Sequence, residues 1–134
     1  FWEEGRLAHE PQFRQHLQTL IWSYGLDNEE HDINAVYLFG SVLSLRHKSH
    51  YLRPPSDMDL WVTYRYPSAD NLEYHQAYLR RIHAAFNQLP TLNHLPYHLQ
   101  ISDTRYGAPG ELVDSVIEGY QIYPYTELPL IPFR

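Results

Sequence analysis

The chain of 134 residues has no cysteine, one methionine and few basic residues. The lack of cysteine excludes disulfides and thiolate metal sites and fits a cytosolic protein. Ten basic residues against sixteen acidic ones give a net charge of −6. This balance argues against a long nucleic-acid partner, because such binding needs clustered positive charge. No apolar run approaches the ~18 residues that a membrane span needs. We therefore expect a cytoplasmic protein whose partners include neither a membrane nor a long nucleic acid.

What the chain does contain is typical of a packed globule. Hydrophobic residues make up 43% of it and aromatic residues 15%, with twelve tyrosines. Tyrosine combines contact area with a polar group, so this number indicates a wet surface or a partner interface. The length predicts a single domain over residues 1–134. The tail 124–134 carries three prolines, and we expect it to be extended without regular structure.

Hydrophobic spacing gives the expected elements. Apolar residues at helical spacing predict helices over 10–24, 69–89 and 108–117, with a short helix opening at 42–45. Short apolar or alternating runs predict strands over 33–39, 60–64, 95–102 and 121–123. Together they predict an α/β (α+β) fold, in which a small mixed sheet of three to five strands has helices packed mainly on one face.

Two motifs organise the chain. The apolar run from Val36 to Phe39 ends abruptly at Gly40 and Ser41, where glycine lets a backbone approach a ligand closely. After fifteen residues, Asp57 and Asp59 open a second apolar run. Residues two apart in a strand share one face, about 6.6 Å from each other along the chain. The two carboxylates can therefore converge on a divalent cation, and without one they repel each other.

A strand ending in Gly-Ser, a variable segment and then Asp-x-Asp in a strand resembles the DNA polymerase beta-like nucleotidyltransferase superfamily. The short chain is similar to its minimal nucleotidyltransferase (MNT) branch. The resemblance implies the polymerase beta-like fold, with Gly40 and Ser41 binding the phosphates of ATP or another nucleoside triphosphate. It implies that Asp57 and Asp59 are catalytic and bind one or two Mg²⁺ ions. The implied reaction moves a nucleoside monophosphate, AMP when the donor is ATP, to a hydroxyl and releases pyrophosphate.

The resemblance also implies a third catalytic carboxylate on a later strand, as the base for the attacking hydroxyl. When 117–120 is matched to the later turn of the family, Gln100 falls at that position. Asp103 is the nearest acid, but it has the opposite strand parity, so a bulge is needed to turn it inward. Both positions stay open, because glutamine cannot accept a proton. His98 shares the face of Gln100, and we expect it to donate to a phosphate or, as the favoured role, to pack in the core.

The remaining polar clusters leave further alternatives. Arg46, Lys48 and Arg53 place three of the ten basic residues within eight positions. They form either a nucleotide-binding flap, with Arg46 and Lys48 on the phosphates, or a solvated loop. None of the nine histidines forms a helical His-x-x-x-His pair with an intervening acid, so a zinc site is not expected.

The implied partner is a protein whose tyrosine or serine accepts the nucleotide. Minimal members resemble antitoxins that modify a helical HEPN-type toxin. A small-molecule acceptor is the weaker option, because those enzymes carry an additional helical domain. A second hypothesis is a catalytically degenerate antitoxin or binding module that acts by contact, which Gln100 and the many tyrosines favour. A sugar transferase using Asp57 and Asp59 does not fit the length or the upstream Gly-Ser.

Overall fold

The computed structural model of the chain describes residues 1–28, 32–46, 54–65, 72–103 and 118–133. The predicted helix over 108–117 lies outside these ranges. None of the helices within them is long and apolar enough to cross a membrane. In chain order, the elements are β1 (Trp2–Glu3), β2 (Arg6–Leu7), α1 (Glu10–Ser23), β3 (Asp32–Phe39), α2 (Gly40–Arg46), β4 (Met58–Arg65), α3 (Leu72–Asn87), β5 (Tyr97–Asp103), β6 (Glu118–Tyr123) and β7 (Leu130–Pro132).

Five of the strands form one mixed sheet in the order β5-β4-β3-β6-β7. The β3–β4, β3–β6 and β6–β7 pairs are antiparallel, whereas β4 and β5 run parallel. A parallel pair needs a crossover connection, and α3 lies in the chain between β4 and β5. The predicted small mixed sheet with helices is confirmed at this level of detail.

One face of the sheet builds the core. Alternate residues of β3 and β4, namely Val36, Leu38, Leu60 and Val62, are fully buried on this face. They belong to one cluster with the apolar stripes of α1 (Phe13, Leu17, Ile21) and α3 (Tyr78, Ile82, Phe86). Because successive strand residues point to opposite faces, the same two strands must present their other residues on the far side.

That far side, here called the open face, carries a separate aromatic cluster. Phe39 and Trp61 are buried there, and Tyr37 and Phe133 pack against them. The ring of Trp61 lies 5.1 Å from the ring of Tyr37 and 4.6 Å from that of Phe133, measured between centroids. The Trp61–Phe133 pair is edge-on, with an angle of 87° between the ring planes, and edge-on aromatic pairs contribute about 0.5–1.5 kcal/mol beyond their buried area. The open face is therefore partly covered by rings rather than by the core helices.

The C-terminal part departs from the sequence-based expectation. Glu118, Gly119 and Tyr120, expected in a turn, lie in β6, and residues 130–132 of the tail pair with them as β7. A Cβ at position 119 would stand 2.4 Å from the ring of Phe133. The glycine therefore serves close packing in a strand, which a sequence cannot distinguish from a turn.

An N-terminal hairpin, β1 with β2, was not predicted. Each strand has two residues, too few to show a hydrophobic period. Trp2 donates its indole N–H to the carbonyl of Val42 in α2 at 2.8 Å. Arg46, the last residue of α2, donates its Nε–H to the carbonyl of Gly5 at 2.8 Å. The hairpin is thus attached to α2 at two points, the third residue of the helix (Val42) and its last residue (Arg46).

A buried polar group joins this hairpin to the rest of the fold. The carboxylate of Glu10 is only 3% exposed and is paired with Arg6, and it accepts a hydrogen bond from the hydroxyl of Tyr120. That hydroxyl in turn accepts the backbone N–H of Leu7 at 3.2 Å. Burial, together with the hydrogen bond to Glu10, raises the pKa of Tyr120 to about 12. The neutral hydroxyl therefore connects β2, α1 and β6.

We expect Tyr120→Phe to lower the free energy of unfolding by about 1–3 kcal/mol, because it removes the hydrogen bond to Glu10 Oε1 and leaves the amide of Leu7 without its acceptor, while Glu10 Oε2 keeps its pairing with Arg6. Urea denaturation followed by circular dichroism measures the change. Tyr125→Phe is the matched control, since Tyr125 is 55% exposed and should change stability little. Equal effects of the two substitutions would contradict this account.

Candidate metal centre

Strand register arranges the open face into three rows across β3, β4 and β5. The first row is Phe39, Asp59 and His98; the second is Tyr37, Trp61 and Gln100; the third is Ala35, Thr63 and Ser102. Successive rows lie about 6.6 Å apart, two residues along each strand. The first row stands at the end of the sheet where β3 stops and α2 begins.

Three possible metal ligands meet in and beside the first row. The nearest ligand atoms of Asp57, Asp59 and His98 all lie within 4.8 Å of one another. Asp57 precedes β4 directly, and Asp59 is its second residue. The His98 Nδ1 and Asp59 Oδ1 atoms are 3.0 Å apart. The structure thus brings together the two predicted aspartates and adds a histidine from the neighbouring strand.

Gly40 lies directly against one of these carboxylates. Its φ is +75°, and a Cβ built there would stand 2.2 Å from Asp59 Oδ2 and 3.0 Å from the carboxyl carbon. Glycine is required on both counts, because left-handed backbone and this close approach each disfavour a side chain. Residues 40–46 then form α2, in which Ser41 is the second residue and is partly exposed. The turn predicted to approach a ligand closely is therefore adjacent to the acidic pair.

The surroundings of Asp59 oppose ionisation of its carboxyl group. Burial raises the pKa of Asp59 above its usual range; the hydrogen bond to His98 acts in the opposite direction, and the nearby charge of Asp57 raises it further. The side chain of Asp59 is 19% exposed and that of His98 is 58% exposed. A divalent cation would remove this penalty, because it supplies the opposite charge. Two carboxylates and an imidazole nitrogen are a donor set that suits such an ion.

The two candidates for the third carboxylate lie elsewhere. Gln100 is on the open face as predicted, but it pairs with Trp61 in the second row, about 6.6 Å beyond His98. Asp103 pairs with Tyr64, on the core face, and is 6% exposed. It lies roughly 16 Å along β5 from His98, so the structure does not bring it to the aspartates.

His98 is the residue of β5 that stands opposite Asp59, and its favoured role as a packed core residue was wrong. Strand alternation predicted that His98 shares a face with Gln100, but not that His98 lies in the same row as Asp59. The row was missed because the later turn of the family was matched to residues 117–120, of which 118–120 lie in β6. Strand parity fixes the face of a side chain, whereas its row depends on the register between β4 and β5. The register follows from long-range pairing, which local pattern does not reveal.

The predicted basic flap is only partly described. Arg46 lies at the end of α2, about 9 Å along the helix axis from Gly40. Its guanidinium lies 6.0 Å from the ring centroid of Trp2 and 5.8 Å from that of Tyr120, besides its hydrogen bond to the hairpin. The contacts of Arg46 in the structure are therefore with the hairpin and with Tyr120, and its role on the phosphates stays a prediction. Lys48 lies outside the described residues.

A groove occupies the second and third rows, next to the carboxylates. Its volume is about 330 Å³, and none of the described residues that line it is charged; they are Asn34, Ala35, Tyr37, Trp61, Thr63, Ser102, Gln121 and Pro124. Trp61 donates its indole N–H to the Ser102 hydroxyl at 2.7 Å. A larger cavity of about 960 Å³ lies beside the N-terminal hairpin, but none of the predicted site residues lines it.

Comparison with known proteins adds no relative to this picture: no family model, no curated protein and no solved structure matches the chain. The geometry of Gly40, Asp57, Asp59 and His98 is therefore the basis for assigning a function.

We expect Gly40→Ala to abolish divalent-cation binding, because the new Cβ would displace the Asp59 carboxylate. Gly25→Ala is a matched control: Gly25 also has a positive φ, of +63°, but its Cβ would meet only the end of the Arg81 side chain, at 3.2 Å. Both substitutions should cost about 1–2 kcal/mol through left-handed backbone strain. Calorimetric titration with Mn²⁺ or Mg²⁺ measures binding, and retention of binding by Gly40→Ala would contradict the assignment.

The raised pKa of Asp59 predicts an unusual pH dependence. The folded protein holds this proton more tightly than the unfolded chain, so the contribution of Asp59 to stability falls as pH rises through the carboxyl range. Asp59→Asn removes this penalty. In the presence of a chelator, we expect the Tm of Asp59→Asn to exceed that of wild type at pH 7. This difference in Tm should disappear below about pH 4, where the wild-type carboxyl is protonated in both states. Asp27→Asn, at an exposed position, should show no such gap, and a lower Tm of Asp59→Asn at pH 7 would overturn the prediction.

Proposed function

We propose that this protein is a nucleotidyltransferase that moves a nucleoside monophosphate, AMP from ATP in the first instance, to a hydroxyl group with release of pyrophosphate. The observation that carries the proposal is the contact between Gly40 and Asp59. A turn that admits no side chain, at the start of a helix, lies directly against a carboxylate that is paired with a second carboxylate and a histidine. Phosphoryl chemistry needs this combination, because a triphosphate must approach both backbone amides and a cation.

The residues at the first row have different roles in this reaction. Asp57 and Asp59 hold the divalent cation, Mg²⁺ by the resemblance, and the charge of that ion neutralises the triphosphate and lowers the pKa of an attacking hydroxyl. The backbone N–H groups of Gly40 and Ser41 donate to the β- and γ-phosphates. Asp59 is held between Gly40 and His98, so its carboxylate is oriented before substrate arrives. Such preorganisation is a large part of catalysis by positioning.

The groove of the second and third rows supports an acceptor on the open face. In an in-line displacement, the attacking and leaving oxygens lie on opposite sides of the phosphorus. With pyrophosphate at Gly40, beyond the first row, the attacking hydroxyl comes from the side of Trp61 and Ser102. The uncharged lining of that groove suits a neutral side chain of a protein partner. A helical HEPN-type toxin is the partner that the resemblance implies.

A contact-acting antitoxin or binding module is the second candidate. It is favoured because neither Gln100 nor Asp103, the two candidates for the third carboxylate, places a carboxylate beside Asp57 and Asp59. An amide such as that of Gln100 cannot accept a proton.

Transfer of label separates the two candidates. We expect the protein, mixed with a candidate acceptor protein, to transfer label from α-labelled ATP but not from γ-labelled ATP, in a reaction that needs a divalent cation. Asp59→Asn should lower the rate at least about a hundredfold, within the range found when one charge-stabilising group is lost. Asp27→Asn, with the same loss of charge at an exposed position, should match wild type. If wild type transfers no label but still binds the acceptor, the contact-acting module replaces the enzyme.

A further inference from the structure

The imidazole of His98 stands beside the aspartates, opposite Asp59 on the neighbouring strand. We propose that His98 Nδ1 is a ligand of the cation, and that the centre prefers a first-row transition-metal dication such as Mn²⁺ over Mg²⁺. The inference deepens the proposed function, because it names the cation of that site. It also replaces the expectation of Mg²⁺, which came from the resemblance alone.

Distances between the donor atoms fit one shared ion. Ligands at bond lengths of about 2.1 Å and a right angle from each other are separated by about 3 Å. His98 Nδ1 and Asp59 Oδ1 are 3.0 Å apart. The nearest oxygen of Asp57 lies within 4.8 Å of both. Since neutral imidazole carries one hydrogen, Nδ1 becomes a ligand when that hydrogen resides on Nε2.

The sheet holds two of these donors in place before any ion binds. Asp59 and His98 are register partners on adjacent strands, so their backbones keep a fixed separation. Gly40 lies against Oδ2 of Asp59, which leaves Oδ1 directed at His98. The His98 side chain is 58% exposed, and the outer side of the centre is therefore open to further ligands such as water or phosphate oxygens.

The chemistry of the donor set decides which ion is preferred. Mg²⁺ takes oxygen ligands in a strict octahedron and is reluctant to lose its waters. Imidazole suits transition-metal ions such as Fe²⁺, Ni²⁺ and Zn²⁺, and Mn²⁺ is the weakest binder of that series, whereas carboxylates suit Mg²⁺ and Mn²⁺ alike. A centre with two carboxylates and one imidazole discriminates against Mg²⁺ through the histidine. Exchanging that residue should change the preference without changing the aspartates.

The test measures cation binding by calorimetry, with Mn²⁺ and Mg²⁺ separately and without nucleotide. Wild type should bind Mn²⁺ at least about tenfold more tightly than Mg²⁺. His98→Gln should weaken Mn²⁺ binding by about 10–100-fold, the range typical of disturbed metal centres, and leave Mg²⁺ binding within about threefold. His98→Asp supplies a third carboxylate, so it should strengthen Mg²⁺ binding and narrow the preference for Mn²⁺ by about tenfold. His83→Gln, at an exposed position of α3, controls for binding by surface histidines and should match wild type.

Pulsed electron paramagnetic resonance gives a second, direct measurement. Mn²⁺ bound to wild type or to His83→Gln should show coupling to an imidazole nitrogen, and His98→Gln should not. Coupling that persists in His98→Gln, a wild type that binds Mn²⁺ without nitrogen coupling, or a wild type without preference for Mn²⁺ would overturn the proposal. If Mn²⁺ binds to wild type without nitrogen coupling, His98 only orients Asp59 through their hydrogen bond.

These outcomes are separate from those of the transfer experiment. Because the binding experiments contain no nucleotide, nitrogen coupling from His98 supports its assignment as a ligand of the cation, whether or not label is transferred. Conversely, label transfer that needs Asp59, without nitrogen coupling, would support the nucleotidyltransferase proposal and contradict only the assignment of His98 as a ligand of the cation.

Discussion

The turn at Gly40 is the constraint on which much of the structure depends. β3 ends at Phe39, whose register partner is Asp59, so the chain must leave the sheet directly over that carboxylate. It does so at a φ of +75° and without room for a Cβ. The turn also sets the course of α2, and α2 carries the carbonyl and guanidinium groups that hold the N-terminal hairpin. The turn at Gly40 thus affects the orientation of Asp59 and, through α2, the position of the hairpin at residues 2–7, more than thirty residues earlier in the chain.

One face of the sheet contributes to stability, and the other carries the candidate metal ligands. On the core face, β3 and β4 contribute fully buried aliphatic side chains to one cluster with α1 and α3. On the open face, the same strands carry an acid, a tryptophan and a threonine in successive rows. The acid is partly buried beside a second carboxylate, which raises its pKa and costs stability. The core face must offset this cost, as is usual where a fold holds a group in an unfavourable protonation state.

Local pattern predicted the parts of the fold that local interactions determine. The stripe of α1 with its end near Gly25, the apolar run of β3 and the convergence of Asp57 and Asp59 could all be read from neighbouring residues. What failed depended on pairing across the chain. Gly119 reads as a turn in sequence, yet it is a strand residue that faces Phe133, and the role of His98 depends on the register of β5 against β4. The hairpin strands, with two residues each, are too short to have a period.

The position of β5 has a consequence for how the centre assembles. Among the described strands, β5 lies at one edge of the sheet and pairs in parallel with β4, with α3 between the two strands in the chain. His98 and Asp59 are thirty-nine residues apart in the chain, so their meeting requires closure of a long loop, which is slow relative to local contacts. Edge elements also open at lower free energy than the core. Opening of β5 alone would separate the histidine from the aspartates while β3 and β4 stayed paired, so the integrity of the centre reports on the docking of one strand rather than on global folding.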